Sequence, residues 1–135
     1  MAEKDMRATV VGLLREWHAF SVENPVHPGT PDVNCTLGWI ELKWIRSWPK
    51  NPDDKVLIPH FSPQQRIWLL KRWNAGGSAW LLLNCKREWL IFNGRIAYEF
   101  VGKTTYQGLV EVCHQHWTRK PEPIELYQAI VHRNI

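Results

Sequence analysis

Apolar and polar positions change period several times along this chain, and the changes mark out its elements. From Glu3 to Phe20, the residues Met6, Val10, Leu13, Leu14 and Trp17 recur at helical spacing and give one apolar face, so a first helix is expected there. Ser21 to Thr30 carries Pro25, Pro28 and Gly29 and reads as a short strand at most, then a loop. Two runs of strand character follow, Asp32 to Leu37 and Trp39 to Ile45, meeting at a turn signal on Gly38. On the first, Asp32, Asn34 and Thr36 share one face and Val33, Cys35 and Leu37 the other. On the second, Glu41 and Lys43 share a face, with Ile40, Leu42 and Trp44 opposite. Arg46 to His60 has three prolines and mixed charge and reads as an exposed loop.

Ser62 to Ala75 is the best-marked helix. Ser62 is a natural N-cap, Pro63 suits the first helical position, Gln65 closes an S-x-x-Q capping box, and Gly76-Gly77 stops the run. Ile67, Leu70 and either Trp73 or Trp68 are expected to face inward. Ser78 to Cys85 is almost continuously apolar, as a central buried strand would be. Trp89 to Phe92 and Arg95 to Val101 read as two further strands joined by a hairpin turn at Asn93-Gly94. Thr104 to Trp117 is expected to be helical and Thr118 to Pro123 to be a basic linker. Ile124 to Val131 forms a closing helix that packs on its own domain or on a second subunit. A strand–helix–strand crossover from the first hairpin to strand 78–85 predicts an α/β domain, a mixed central sheet covered by helices.

Composition narrows the setting. A chain of 135 residues is long enough to bury a real core, and a single domain over 1–135 is the simplest expectation. With 17 basic and 13 acidic residues the formal charge is +4, which permits a polyanionic partner. No apolar run approaches the roughly 18–20 residues of a membrane span, and the N-terminus lacks a signal-peptide pattern. Three cysteines without framework spacing suit a reducing compartment, so a cytoplasmic location is expected. Nine tryptophans are many, and core, DNA-facing and dimer-surface roles all remain open for them. Cys113, His114 and His116 invite a zinc reading, but neighbours at i, i+1 and i+3 of one helix do not converge as tetrahedral ligands.

The chemistry concentrates on the first hairpin, which would present Asp32, Glu41 and Lys43 together on a rigid platform. Two carboxylates and an ammonium suit metal-assisted hydrolysis of a phosphodiester. The carboxylates, with a backbone carbonyl such as that of Leu42, supply the hard oxygen ligands that Mg2+ prefers. Lys43 would hold the attacking water or the scissile phosphate as a point charge. His27, five residues before Asp32, is placed to contact a DNA phosphate. The loop after the hairpin is a candidate flap in which Arg46, Trp48, Lys50 and Lys55 supply phosphate contacts and stacking.

Pro31-Asp32 followed by Glu41-Leu42-Lys43 resembles the signature of the PD-(D/E)XK nuclease superfamily. The Gly29-Thr30-Pro31-Asp32 lead-in and Ser62-Pro63-Gln64-Gln65 resemble more narrowly its VRR-NUC and Holliday-junction-resolvase-like branch, over a segment from about Glu3 to Leu83. The resemblance implies a restriction-endonuclease-like core and a Mg2+-dependent endodeoxyribonuclease, with Mn2+ able to substitute. It implies an acid from the first helix at the metal site, for which Glu3 is the best match and Asp5 and Glu16 are rivals. It also implies a glutamine at the catalytic pocket, Gln65 in register with Gln64 as its neighbour. By the same resemblance the substrate is branched DNA such as a Holliday junction and the active form a homodimer with no membrane association, suited to phage or mobile-element recombination and repair in a host cytoplasm. The alternatives are a homing-type or restriction-type endonuclease and, from another class, a non-catalytic DNA-binding module of the same fold.

Overall fold

The computed structural model describes residues 3–131, with side chains from Asp5 onward. Among these residues the chain forms α1 (Glu3–Leu13), β1 (Phe20–Ser21), β2 (Val33–Cys35), β3 (Gly38–Ile45), α2 (Pro63–Asn74), β4 (Ala79–Cys85) and β5 (Glu88–Asn93). It continues through α3 (Gly94–Phe100), α4 (Tyr106–Val112), β6 (Gln115–Trp117) and α5 (Pro123–Val131). The six strands make one mixed sheet in the order β1-β2-β3-β4-β5-β6. All neighbours are antiparallel except β3 and β4, which the crossover through α2 leaves parallel. The protein is thus α/β, as the alternation of strand and helix periods predicts.

Each sheet face carries its own core. On one, Met6, Val10 and Leu14 from the first helical segment and Leu126 and Ile130 of α5 pack against Val33, Ile40, Leu42, Trp80, Leu82 and Ile91. On the other, Leu69 of α2, Ala97 of α3 and Leu109 of α4 cover Leu81, Leu83, Leu90 and Phe92, with Val56 and Phe61 of the long loop wedged among them. β4 is buried throughout because both faces are covered. Full burial of a leucine or isoleucine here is worth roughly 1.5–3 kcal/mol. α5 therefore rests on this sheet, and the Trp17 ring stacks on Tyr127 at 5.0 Å.

Several expected elements differ. The first helix ends at Leu13 rather than Phe20, giving way to a 3-10 turn over Arg15–Trp17. His18 then takes a left-handed conformation, φ 57°, which turns the chain so that Phe20 can pair with Asn34 on β2. The apolar periodicity persists across this break because the turn keeps Trp17 on the core side. Residues 94–100 form a helix and not a strand, and Asn93-Gly94 is not a hairpin turn. Asn93 Oδ1 accepts the Ile96 N–H at 2.8 Å as an N-cap, and a Cβ on Gly94 would collide with the Leu69 carbonyl of α2. The hairpin turn is instead Lys86-Arg87, with Lys86 at φ 55°. Of 104–117, only Tyr106–Val112 is helical, and Gln115–Trp117 becomes the edge strand β6. On α2 it is Leu69 that is buried, while Ile67 is 44% exposed.

Candidate functional site

The hairpin forms from local chemistry. β2 and β3 pair through Val33↔Ile40 and Cys35↔Gly38, leaving Thr36-Leu37 as the turn. Gly38 sits at φ 141° with Ser78 so close that a Cβ would lie 2.5 Å from its carbonyl oxygen, which seats the start of β3 on β4. Pairing alternates the faces as expected: Val33, Cys35, Ile40, Leu42 and Trp44 all enter one core. Glu41 and Lys43 turn to the other face, level with Leu81 and Leu83. Gly29, at φ 89°, lies against the backbone of Gln64 and Gln65, so the Gly29–Asp32 lead-in packs on the start of α2.

Asp32 precedes β2, its backbone held by Val22 N–H donating to its carbonyl at 2.8 Å. Its Oδ2 accepts the Leu42 N–H at 2.9 Å and its Oδ1 accepts from the Arg7 guanidinium at 2.9 Å. A strand residue directs its N–H and C=O to the same edge. The Leu42 carbonyl therefore leaves β3 on the Asp32 side, beyond the last β2–β3 pair.

Glu41 is 1% exposed, and neither of its oxygens has a hydrogen-bond partner. Lys43 Nζ stands 3.1 Å from Glu41 Oε2, a Coulombic contact without hydrogen-bond alignment. Burial, and next the negative charge of Asp32, push the Glu41 carboxyl up to about 8, against the opposing pull of Lys43. Lys43 is itself buried and donates to the His60 carbonyl at 2.9 Å. His60 adopts φ 63°, left-handed backbone that is uncommon outside glycine and that sets its carbonyl on the lysine.

Beside Lys43 opens a cavity of about 290 Å³ lined by Leu42, Trp44, Pro59, His60 and Gln65. The capping box of α2 is present in full: Ser62 Oγ accepts the Gln65 N–H at 3.2 Å, and Gln65 Oε1 accepts the Ser62 N–H at 2.9 Å. Gln65 thus caps the helix and borders the cavity at once, whereas Gln64 is exposed.

The fold brings Asp32, Glu41, Leu42, Lys43 and Gln65 to one place. Glu3 opens α1 one turn before Arg7, and its side chain lies outside the described residues. Asp5 and Glu16 are solvent-exposed on the first helical segment. His27 is exposed and lines a groove with Trp39, Trp68 and Arg72, distinct from the Lys43 cavity. Arg46, Lys50 and Lys55 are exposed on the long loop. That loop is pinned along its length: Val56 N–H donates to the Thr104 carbonyl at 2.9 Å, and Val56 and Phe61 are buried. Trp48 is no stacking platform, since its indole N–H donates to Glu88 and its ring packs on Tyr106 at 4.6 Å. Among the described residues no three His, Cys, Asp or Glu side chains converge as a metal-binding group.

Arg7 and His60 were not singled out by sequence. Arg7 follows the candidate acid Glu3 by four positions, a same-face helical spacing that was the available signal. Nothing local marks His60, whose carbonyl matters rather than its ring. Comparison of the chain with protein-family models, curated proteins and solved structures gave no match.

Proposed function

We propose that this chain is a metal-dependent DNA endonuclease with a restriction-endonuclease-like core, hydrolysing phosphodiester bonds at the Asp32–Glu41–Lys43 site. The observation that carries this reading is Glu41, a carboxylate 1% exposed whose oxygens accept no aligned hydrogen bond, set beside a second acid and ion-paired to Lys43 at 3.1 Å. Burying an ionisable group whose hydrogen bonds are not met costs free energy that one ion pair does not fully return, and a divalent cation shared with Asp32 would offset that cost. The donor set is all oxygen, from Asp32, Glu41 and the Leu42 carbonyl, with Glu3 as a further candidate, which suits Mg2+ or Mn2+. When bound, the ion would supply Lewis-acid stabilisation of phosphoryl charge and a more acidic water.

The chain's own groups do the rest. Lys43 holds a fixed positive charge at the mouth of its cavity, where a phosphate oxygen or the attacking water fits. His60 keeps that ammonium in place through its carbonyl. Gln65, committed to the cap through Oε1, keeps its amide N–H2 for substrate. Exposed His27, Arg46, Lys50 and Lys55 supply phosphate contacts around the site. Branched DNA and a pair of subunits cutting two strands remain the substrate and assembly that the resemblance favours.

A second reading, a DNA-binding module of the same fold that does not cut, draws on Arg7. Its guanidinium already neutralises Asp32 Oδ1, standing where a cation would compete. Cleavage of labelled four-way junction, flap, duplex and single-stranded DNA with Mg2+, Mn2+ or EDTA separates the two. Metal-dependent cutting that falls about 100- to 1000-fold in a folded Lys43→Ala protein is the expected result. Binding without cutting under either metal supports the module, and site-specific cutting of plain duplex would mark a homing-type or restriction-type enzyme.

A further inference from the structure

Next to the acid pair lies a groove of about 420 Å³, of whose lining the nuclease reading uses His27 but not the tryptophans or Arg72. Its walls are Trp39 and Trp68, whose ring centroids are 5.3 Å apart and meet edge to face. The Arg72 guanidinium lies over Trp68 at 4.6 Å and reaches Trp39 at 5.8 Å. At the rim stand His27 and Asn24. Asn24 Oδ1 already accepts the N–H groups of Val26 and His27, both at 3.1 Å, so its NH2 is the group left to donate.

Trp39 is two residues before Glu41 on the same strand, hence on the same face and about 7 Å away. Lys43 follows two residues later. Along this face of β3 the order is aromatic groove, acid, lysine. A phosphate held by Lys43 at its cavity would run the adjoining strand along this face toward Trp39. An aromatic wall, a guanidinium over it and hydrogen-bonding groups at the rim match an unstacked base and its phosphate, since bases stack on aromatic and guanidinium planes. Paired duplex offers no free base face there.

Resting on the proposed nuclease reading, we propose that the Trp39–Trp68–Arg72 groove takes one unstacked nucleobase of the strand being cut, so that substrate carries an unpaired nucleotide beside the scissile phosphate.

The test measures binding by fluorescence anisotropy in EDTA, where no cutting occurs. The probes are a DNA fork with one single-stranded arm, the fully paired counterpart, and forks with an abasic nucleotide stepped along the arm. Wild-type protein is expected to bind the fork about tenfold more tightly than the paired DNA. One abasic position should erase that preference. Trp68→Ala should erase it too and become insensitive to the abasic step, whereas Trp68→Phe should retain it. Arg72→Gln, at an exposed position, should weaken fork binding without disturbing the fold. Equal losses on fork and paired DNA, or indifference to every abasic position, would overturn the proposal. The nuclease reading fails separately: base-sensitive binding with no cleavage in Mg2+ or Mn2+ keeps the groove and removes the enzyme, and cleavage with base-insensitive binding does the reverse.

Discussion

Replacing Glu41 by glutamine should make the metal-free protein more stable. Glu41 is buried beside Asp32, and its carboxyl is raised from 4.5 to about 8. A folded state with a raised carboxyl pKa binds a proton that the unfolded chain releases. The stability associated with protonated Glu41 is therefore present in full below about pH 4.5 and is lost progressively as pH rises through about 8. At about 1.4 kcal/mol per pH unit, the loss at pH 7 is about 3 kcal/mol for the interval above 4.5. Glu41→Gln presents a neutral group of the same shape and escapes this loss. The variant's advantage should be near zero at pH 4.5 and grow to about 3 kcal/mol at pH 7, on the order of 10 °C in Tm. Urea denaturation of both proteins in EDTA at pH 5, 6, 7 and 8 measures it, and the difference cancels the titrating groups that do not interact with Glu41, leaving Glu41 with its neighbours Asp32 and Lys43. Adding Mg2+ should then stabilise wild type in proportion to RT ln(1 + [Mg2+]/Kd) and leave the variant unmoved. A difference that does not change with pH, or a variant less stable than wild type at pH 8, would refute the reasoning.

Other perturbations address other parts of the site and its support. Arg7→Gln removes a charged hydrogen bond to Asp32, so stability should fall by about 1.5–3 kcal/mol. Calorimetry should show Mg2+ binding more tightly once that guanidinium is gone. Gln65→Ala breaks the reciprocal cap of α2, costing about 1 kcal/mol, and should also slow cleavage; an unchanged rate would leave Gln65 as a cap alone. Gly94→Ala puts a methyl group into the Leu69 carbonyl and should lower the denaturation midpoint by about 1–3 kcal/mol in free energy; an unshifted midpoint would mean that α2 and α3 separate easily.

What was legible in the sequence was local. The alternation that puts Glu41 and Lys43 opposite Ile40, Leu42 and Trp44 follows from the strand's own period, and the register bears it out. The capping box at Ser62 and Gln65 needs only one turn of helix and was readable for that reason. The buried strand at 79–85 announced itself because a strand covered on both faces has no polar side to display. Asn93-Gly94 shows the opposite case. Its dipeptide suits a turn and a helix start equally well, and the choice fell to α2, whose Leu69 carbonyl accepts only a glycine alongside and so docks α3 there.

The tryptophans divide in the same way. Composition counts nine, but only packing assigns Trp80, Trp89 and Trp117 to the core, Trp48 to Glu88, and Trp39 and Trp68 to an open groove beside the site. By itself the sequence determined which residues could face one another, the acids and the lysine on one side of a hairpin, and an α/β order of elements; that the start of α2 lies beside them was implied only by the resemblance. Only the tertiary structure decided their chemical state. Arg7 reaches Asp32 from twenty-five positions away, His60 presents a carbonyl to Lys43, and the closed fold leaves Glu41 1% exposed. Periodicity and capping act over a few residues of chain. Burial and charge act through space, among groups whose neighbours are set only once the sheet has closed.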